Sequence, residues 1–244
     1  MSTGEQPPQG AIGFRGRDGR LFQARILGWF TLCARRFPWR RRGASLYQKV
    51  VAEVLLQRTR AEVVGGFLPA FLERFPSWER LSGAPEKELR AFLRPLGLWR
   101  RRAASLKKLA AEMVLRKGRF PRSRVEIESL PGVGQYIANA VMLFCHGASE
   151  PLLDVNMARV LERYFGPRTL ADIRYDSYLQ HLARRVLVGV DALSMNWAIL
   201  DLAALICTSR KPRCDECPLA PGCLYGRAVL ACIIHESGTW RSFL

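Results

Sequence analysis

The chain has 244 residues, 49% of them hydrophobic, with 38 Lys or Arg against 21 Asp or Glu, for a formal net charge of +17. That length and apolar content suit one large domain or two small lobes and exclude a disordered chain; no run approaches the roughly 20 apolar residues of a membrane helix, and the first residues lack a hydrophobic signal core. The basic excess points to a polyanionic partner, most often nucleic acid, and carries no sequence information, because phosphates are common to every sequence.

Residues 1–20 are rich in Gly, Pro, Gln and Arg and read as a disordered basic arm. From Leu21, "LFQARILGWFTLCARRF" repeats apolar residues at spacings of three and four, which predicts a helix. It stops at Phe37-Pro38-Trp39, where proline cannot continue it. "LYQKVVAEVLLQRT" (46–59) is a second helix, and "AEVVGGFLPAFLERF" (61–75) a third with a weak point at Gly65-Gly66. "APEKELRAFLRPLG" opens with the proline and acidic residues that favour a first turn, and it ends at Pro95 and Gly97. "RRRAASLKKLAAEMVLRKG" is amphipathic and ends at Gly118. "SRVEIESL" and "GQYIANAVMLFCHG" are helices on either side of a Gly-rich turn, followed by "NMARVLERYFG", "SYLQHLARRVL" and "LSMNWAILDLAALIC". No long alternating β-branched run appears and no internal repeat, so the chain reads as all-α, with about ten helices and short connections.

Three features carry chemistry. In "LPGVGQYIANAV", Gly132 and Gly134 permit positive φ and let a ligand approach the backbone closely. The N–H groups that open the following helix point into the turn, so Leu130, Gly132, Val133 and Gly134 read as a grip on one phosphate; the plainer reading is a helix-joining loop. Asp154, in "EPLLDVNMARVL", precedes a helix starting near Asn156. It suits a helix cap, or a catalytic acid at the edge of an apolar pocket, and spacing alone favours the cap. Of seven cysteines, Cys33, Cys145 and Cys232 are scattered, while Cys207, Cys214, Cys217 and Cys223 crowd into "CTSRKPRCDECPLAPGC". That pattern reads as a reducing compartment with one metal site rather than a disulfide framework. Four thiolates at C-x6-C-x2-C-x5-C suit a cubane iron–sulfur cluster; zinc usually takes two C-x2-C knuckles, and only Cys214 and Cys217 form one.

Hairpin, aspartate and cysteine loop, in this order over roughly residues 21–225, resemble the helix-hairpin-helix DNA glycosylases. That superfamily includes endonuclease III, the MutY-type adenine glycosylases and the thymine-mismatch (Mig-type) glycosylases. The resemblance implies a two-lobed all-α fold. Residues 38–147 would form a six-helix lobe carrying the hairpin at 124–147. Residues 21–37 and 148–225 would form a discontinuous lobe whose four cysteines hold a 4Fe-4S cluster, with a tail at 226–244. DNA would lie across the cleft between the lobes. The family's catalytic aspartate falls on Asp154, which displaces the cap reading. A carboxylate there stabilises the positive charge that builds on the sugar as the glycosidic bond breaks, and helps water add. Members that also cut the strand carry a lysine just after the hairpin, where its amine forms a Schiff base. Here that position is Tyr136, and a phenol forms no imine. The implied enzyme is a monofunctional N-glycosylase.

Glu53 in "VAEVLLQRT" matches a glutamate shared by the adenine and thymine-mismatch branches and absent from endonuclease III. Tyr136, and Arg58 in "VLLQRT" as a wedge filling the gap left by the flipped base, resemble the thymine-mismatch branch. The chain also ends soon after the cluster, where adenine glycosylases usually continue into a further domain. The implied substrate is thymine or uracil opposite guanine, in double-stranded DNA containing a mismatched or damaged base; adenine and hypoxanthine are the alternatives. Gln57 and Arg58 are expected to contact DNA, with phosphate contact the alternative to the wedge, and "PLGLWRRRA" lies where the family inserts a second wedge: Leu98 or Trp99 into the duplex, with Arg100 to Arg102 on phosphates. Phe37-Pro38-Trp39 resembles a structural signature of the family. A cytoplasmic, nucleoid-associated monomer is expected.

Overall fold

The computed structural model describes residues 16–229, which hold eleven complete α-helices, three 3-10 turns and no strand. No described helix is long and apolar enough to cross a membrane. The chain divides into two compact units: Arg35–Glu150, and the residues before Arg35 together with those from Pro151 onward. The junctions fall beside the expected 37/38 and 147/148, for a local reason. Arg35 pairs with Glu62 at 2.8 Å and lies over the Phe37 ring, and Glu150 pairs with Arg124 at 2.8 Å, so both ends of the inserted segment are tied into it. The expected basic arm at 1–20 is too long at its end. Helix α1 already runs from Gly16 to Cys33, with Asp18 in the first turn where the helix dipole favours an anion, and Phe22 and Ile26 are fully buried. Residues 1–15, and 230–244 of the expected tail with Cys232, lie outside the described residues.

Within the 35–150 unit, α2 (Leu46–Leu56) is apolar on nearly every side and sits in the core, as a helix without a polar face must. Ser45 and Gln48 close a capping box at its start. Helices α3 (Ala61–Arg74), α6 (Trp99–Leu115) and α8 (Gln135–His146) pack on it, with α4 (Trp78–Gly83) and α5 (Glu86–Leu93) on α6 and α7 (Arg124–Glu128) on α8. The expected weak point of α3 is a packing notch. A Cβ on Gly65 would lie 3.1 Å from Phe37, whose ring stacks on Trp39 at 4.6 Å. Helix α4 has no periodic signature because it spans only six residues; Ser77 caps it, and buried Trp78 meets Tyr47 edge-on.

In the other unit α1 packs on α11 (Ala192–Leu205), and α9 (Val155–Phe165) packs on α10 (Ser177–Arg185) and α11. Each of α9, α10 and α11 begins at an aspartate whose carboxylate accepts backbone N–H bonds: Asp154, Asp176 and Asp191. Asp176 is fully buried and also takes the N–H groups of Thr169 and Leu170 and the Thr169 hydroxyl. Burial pushes this carboxyl up, but the Leu170, Leu179 and Thr169 bonds outweigh it and hold the pKa below its ordinary value. Its stabilisation is complete above the unfolded-chain value of about 3.9 and is lost as pH falls through the folded value. Asp176→Ala is expected to cost about 2 kcal/mol, which lowers the thermal midpoint by roughly 4–8 °C at pH 7. The gap from wild type should close under acid conditions, where wild-type Asp176 is itself protonated; an unchanged midpoint at pH 7 would contradict this.

Candidate active site

Leu152 and Leu153 are buried, and the Leu152 N–H donates to Asn196 Oδ1 at 2.6 Å, so the segment entering α9 is anchored to α11. Asp154 follows at the surface end of this anchor. Its Oδ1 accepts from the N–H groups of Asn156 (2.9 Å) and Met157 (2.8 Å), and its Oδ2 from the Asn156 amide (2.6 Å). The cap reading therefore describes the local structure correctly. Burial raises the pKa of Asp154 above the ordinary carboxylate value, against the bonds from Met157 and Asn156 and the charge of Arg159. Asn156 is itself held: Arg159 donates to its Oδ1 at 3.2 Å and to the carbonyls of Cys207 (2.8 Å) and Ala203 (3.0 Å). Neither Asn156 nor Arg159 was singled out from sequence. Their i+2 and i+5 spacing from Asp154, on the first turns of a helix, is the signal that could have found them.

The four cysteines line one recess with Ile206, Arg163 and Tyr225. Arg163 Nη1 lies 3.3 Å from Cys207 Sγ, and the Gly226 N–H donates to Cys223 Sγ at 3.3 Å, the kind of N–H contact that stabilises cluster thiolates. A Cβ on Gly222 would collide with the Tyr164 hydroxyl at 2.3 Å, so the loop closes only with glycine there. Four thiols lining one recess, with N–H donors beside two of them, are a donor set that fits an iron–sulfur cluster. Arg213, between Cys207 and Cys214, pairs with Glu216 at 2.9 Å.

In the 35–150 unit, Glu53 is buried on α2, and the Tyr136 hydroxyl, one residue into α8, donates to its Oε2 at 3.0 Å. Of the two glycines in the hairpin turn, Gly132 alone has positive φ, at 76°, and its Cα faces Ser105, where a Cβ would come within 3.0 Å. Gly134, which permits the same freedom, is instead extended (φ −94°) and caps α8; nothing lies within 4 Å of where its Cβ would stand, so a ligand can reach this backbone from solvent. Leu130 and Val133 are buried in the core, which leaves only their main chain to meet a phosphate. Gln57 and Arg58 are exposed just beyond α2, with Arg58 at φ 57°. Leu98 is exposed at φ 48°. Trp99 is half-buried against the core, with the Arg100 guanidinium 3.9 Å from its ring centre, so Leu98 is the freer of the two expected wedge residues. Arg102 corrects an expectation. It is only 3% exposed and binds protein oxygens, so it does not face phosphate, unlike exposed Arg100 and Arg101.

Residues 51–196 match the family model described as HhH-GPD superfamily base excision DNA repair protein, and residues 207–223 match the iron–sulfur binding domain of endonuclease III. A thymine-DNA glycosylase of Aeropyrum pernix is 40% identical over 215 residues, covering 85% of this chain and 96% of the relative. A thymine/uracil-DNA glycosylase of Pyrobaculum aerophilum is 39% identical, covering 84% and 91%. The solved structure of a thermostable thymine-DNA glycosylase matches with a TM-score of 0.76 at 32% identity, covering 87% of this chain and 98% of the other. The loop at 207–223 thus binds an iron–sulfur cluster. Purified protein is expected to absorb broadly in the visible and to carry about four irons per chain by elemental analysis; one zinc per chain would contradict this. Because its raised pKa makes ionised Asp154 a cost to folding at neutral pH, Asp154→Asn, which retains a capping oxygen, should hold or raise the thermal midpoint. A drop of several degrees would contradict that sign.

Proposed function

This chain belongs to the HhH-GPD superfamily of base excision DNA repair proteins, and from that premise we propose that it is a monofunctional glycosylase removing thymine or uracil opposite guanine. The observation that carries the reading is the hydrogen bond from Tyr136 to buried Glu53, at the position where strand-cutting members carry a lysine. A phenol committed to a carboxylate offers no amine for a Schiff base, so the sugar is attacked by water.

The target nucleotide is first flipped from the stack, which costs a few kcal/mol, and less for a mispaired base. The bond between the base nitrogen and C1′ breaks, and its electron pair leaves with the base. Positive charge on the sugar is met by the Asp154 carboxylate, which also accepts a proton from the water that adds at C1′. The base departs as an anion and takes its proton from solvent water, and the contacts to it serve to orient it. Glu53 accepts a hydrogen bond from the pyrimidine N3–H, and Tyr136 fixes the carboxylate that does so. Arg58 and Leu98 occupy the space vacated in the duplex, and Gly134 with its neighbours' main chain holds a phosphate. Cys207, Cys214, Cys217 and Cys223 hold the cluster, which, when bound, ties the loop together at four points and supplies a one-electron centre.

Relatives named for thymine and uracil support the choice of base. The test is a panel of duplexes bearing each mismatch and lesion, scored with and without alkali. Thymine and uracil opposite guanine should be released, with strand breaks appearing only after alkali. Asp154→Asn should lower single-turnover excision at least about 100-fold while leaving duplex affinity nearly intact. Tyr136→Lys should gain some strand cutting. Release of adenine alone, opposite oxidised guanine, or borohydride trapping of a wild-type imine, would overturn the proposal.

A further inference from the structure

We propose that Arg102 is a positioning residue that fixes, from inside the protein, the two loop tips that enter the duplex. The inference rests on the glycosylase reading for the role of those tips; the geometry stands by itself. Arg102 lies in the first turn of α6, buried. Its Nη1 donates to the carbonyls of Leu96 and Gly97, both at 2.7 Å. Its Nη2 donates to the Leu55 carbonyl at 3.2 Å, to the Gln57 carbonyl and to the Thr59 hydroxyl. One planar guanidinium thus bridges the end of α2 with the loop after it, 55–59, to the turn at 96–97, some forty positions on in sequence.

The two carbonyls that matter most are those of Gln57 and Gly97. Each belongs to the same rigid peptide plane as the N–H of the next residue, Arg58 or Leu98. Holding that plane sets φ of the following residue. Arg58 and Leu98 are both non-glycine residues in the left-handed region, at 57° and 48°. An L-residue resists that conformation, and it persists only where the surroundings impose it. Arg102 is the shared imposition: it turns both planes, and so aims an exposed arginine and an exposed leucine from two separate loops.

The arrangement is a costly way merely to pack a core. Every acceptor is a neutral oxygen, and Arg102 Nε is buried without a partner. Burial lowers the guanidinium pKa accordingly. A buried cation with no counter-ion and an unmet donor costs more than an apolar side chain of equal size, so its retention calls for a role beyond packing. Its neighbours make the contrast, since Arg100 lies on Trp99 and Arg101 faces solvent.

The test compares wild type with Arg102→Met, of similar length without donors, and Arg102→Lys, which keeps the charge but not the fork. Each holo-protein is first checked for iron content and helicity. Two duplexes are used, one with thymine opposite guanine and one with the same thymine opposite an abasic-site analogue, where stacking and pairing already resist flipping less. A 2-aminopurine beside the target reports flipping, and single-turnover excision is read on both. Arg102→Met should lose about 10–100-fold in excision and most of the flipping signal on the mismatch, with affinity within about threefold and a loss of less than about threefold opposite the abasic analogue. Arg102→Lys should fall between. An equal loss on both duplexes, or no loss on either, would overturn the inference and leave Arg102 a packing residue. If Arg102→Met does not fold, the Arg102→Lys comparison decides on the same criterion. Wild type that excises neither thymine would instead sink the glycosylase reading, a result distinct from failure of the variants.

Discussion

Asp154 carries two opposed demands on one carboxylate. Burial favours its neutral acid, and the start of α9 favours its anion: two backbone N–H groups, the Asn156 amide and the charge of Arg159 all face it. Desolvation prevails in part, so the pKa stays above the ordinary value while the group remains surrounded by donors. A carboxylate of that kind is poorly solvated and strongly basic for its type, which suits it to meet a developing cation and to take a proton from water. In the proposed mechanism, cap and catalyst are one geometry. The surroundings are arranged to keep it: Leu152 is tied to Asn196, and Asn156 is tied through Arg159 to the carbonyls of Ala203 and Cys207.

The 35–150 unit supplies groups of a different character. Glu53 is buried within a nearly all-apolar helix, where a carboxylate needs hydrogen bonds to persist, and Tyr136 provides one. In the proposed mechanism the phenol also offers no amine, which leaves water as the nucleophile. Arg102 extends the same logic to the loops, where one buried donor group is proposed to order the two tips at Arg58 and Leu98, just outside α2 and α6.

Helix boundaries, the all-α class and the cysteine loop were legible because each depends on local sequence: apolar periodicity, proline and glycine punctuation, and a fixed thiol spacing. Helix α4 was not, since six residues give less than two turns of periodicity. Two glycines in a turn look alike in sequence, but only Gly132 takes positive φ, and only there does Ser105 leave no room for a Cβ. Leu130 and Val133 read as DNA contacts because they flank the turn, yet their side chains complete the core. Arg102 hid in a run of three arginines. Its spacing from Leu106, Leu109 and Met113 puts it on the buried stripe of α6, so periodicity did mark it. What periodicity cannot give is the partner, because side-chain bonds to distant carbonyls depend on the tertiary fold.

The most direct measurement is the pH dependence of single-turnover thymine excision from a guanine mismatch at saturating enzyme. An ionised Asp154 with a raised pKa predicts an acidic limb of unit slope lying above the roughly 3.9 of an ordinary aspartate. Below that limb, protonated Asp154 no longer meets the sugar's charge and the rate falls tenfold per pH unit. A rate independent of pH down to 3.9 in protein that remains folded would contradict the assignment of Asp154 as the working carboxylate.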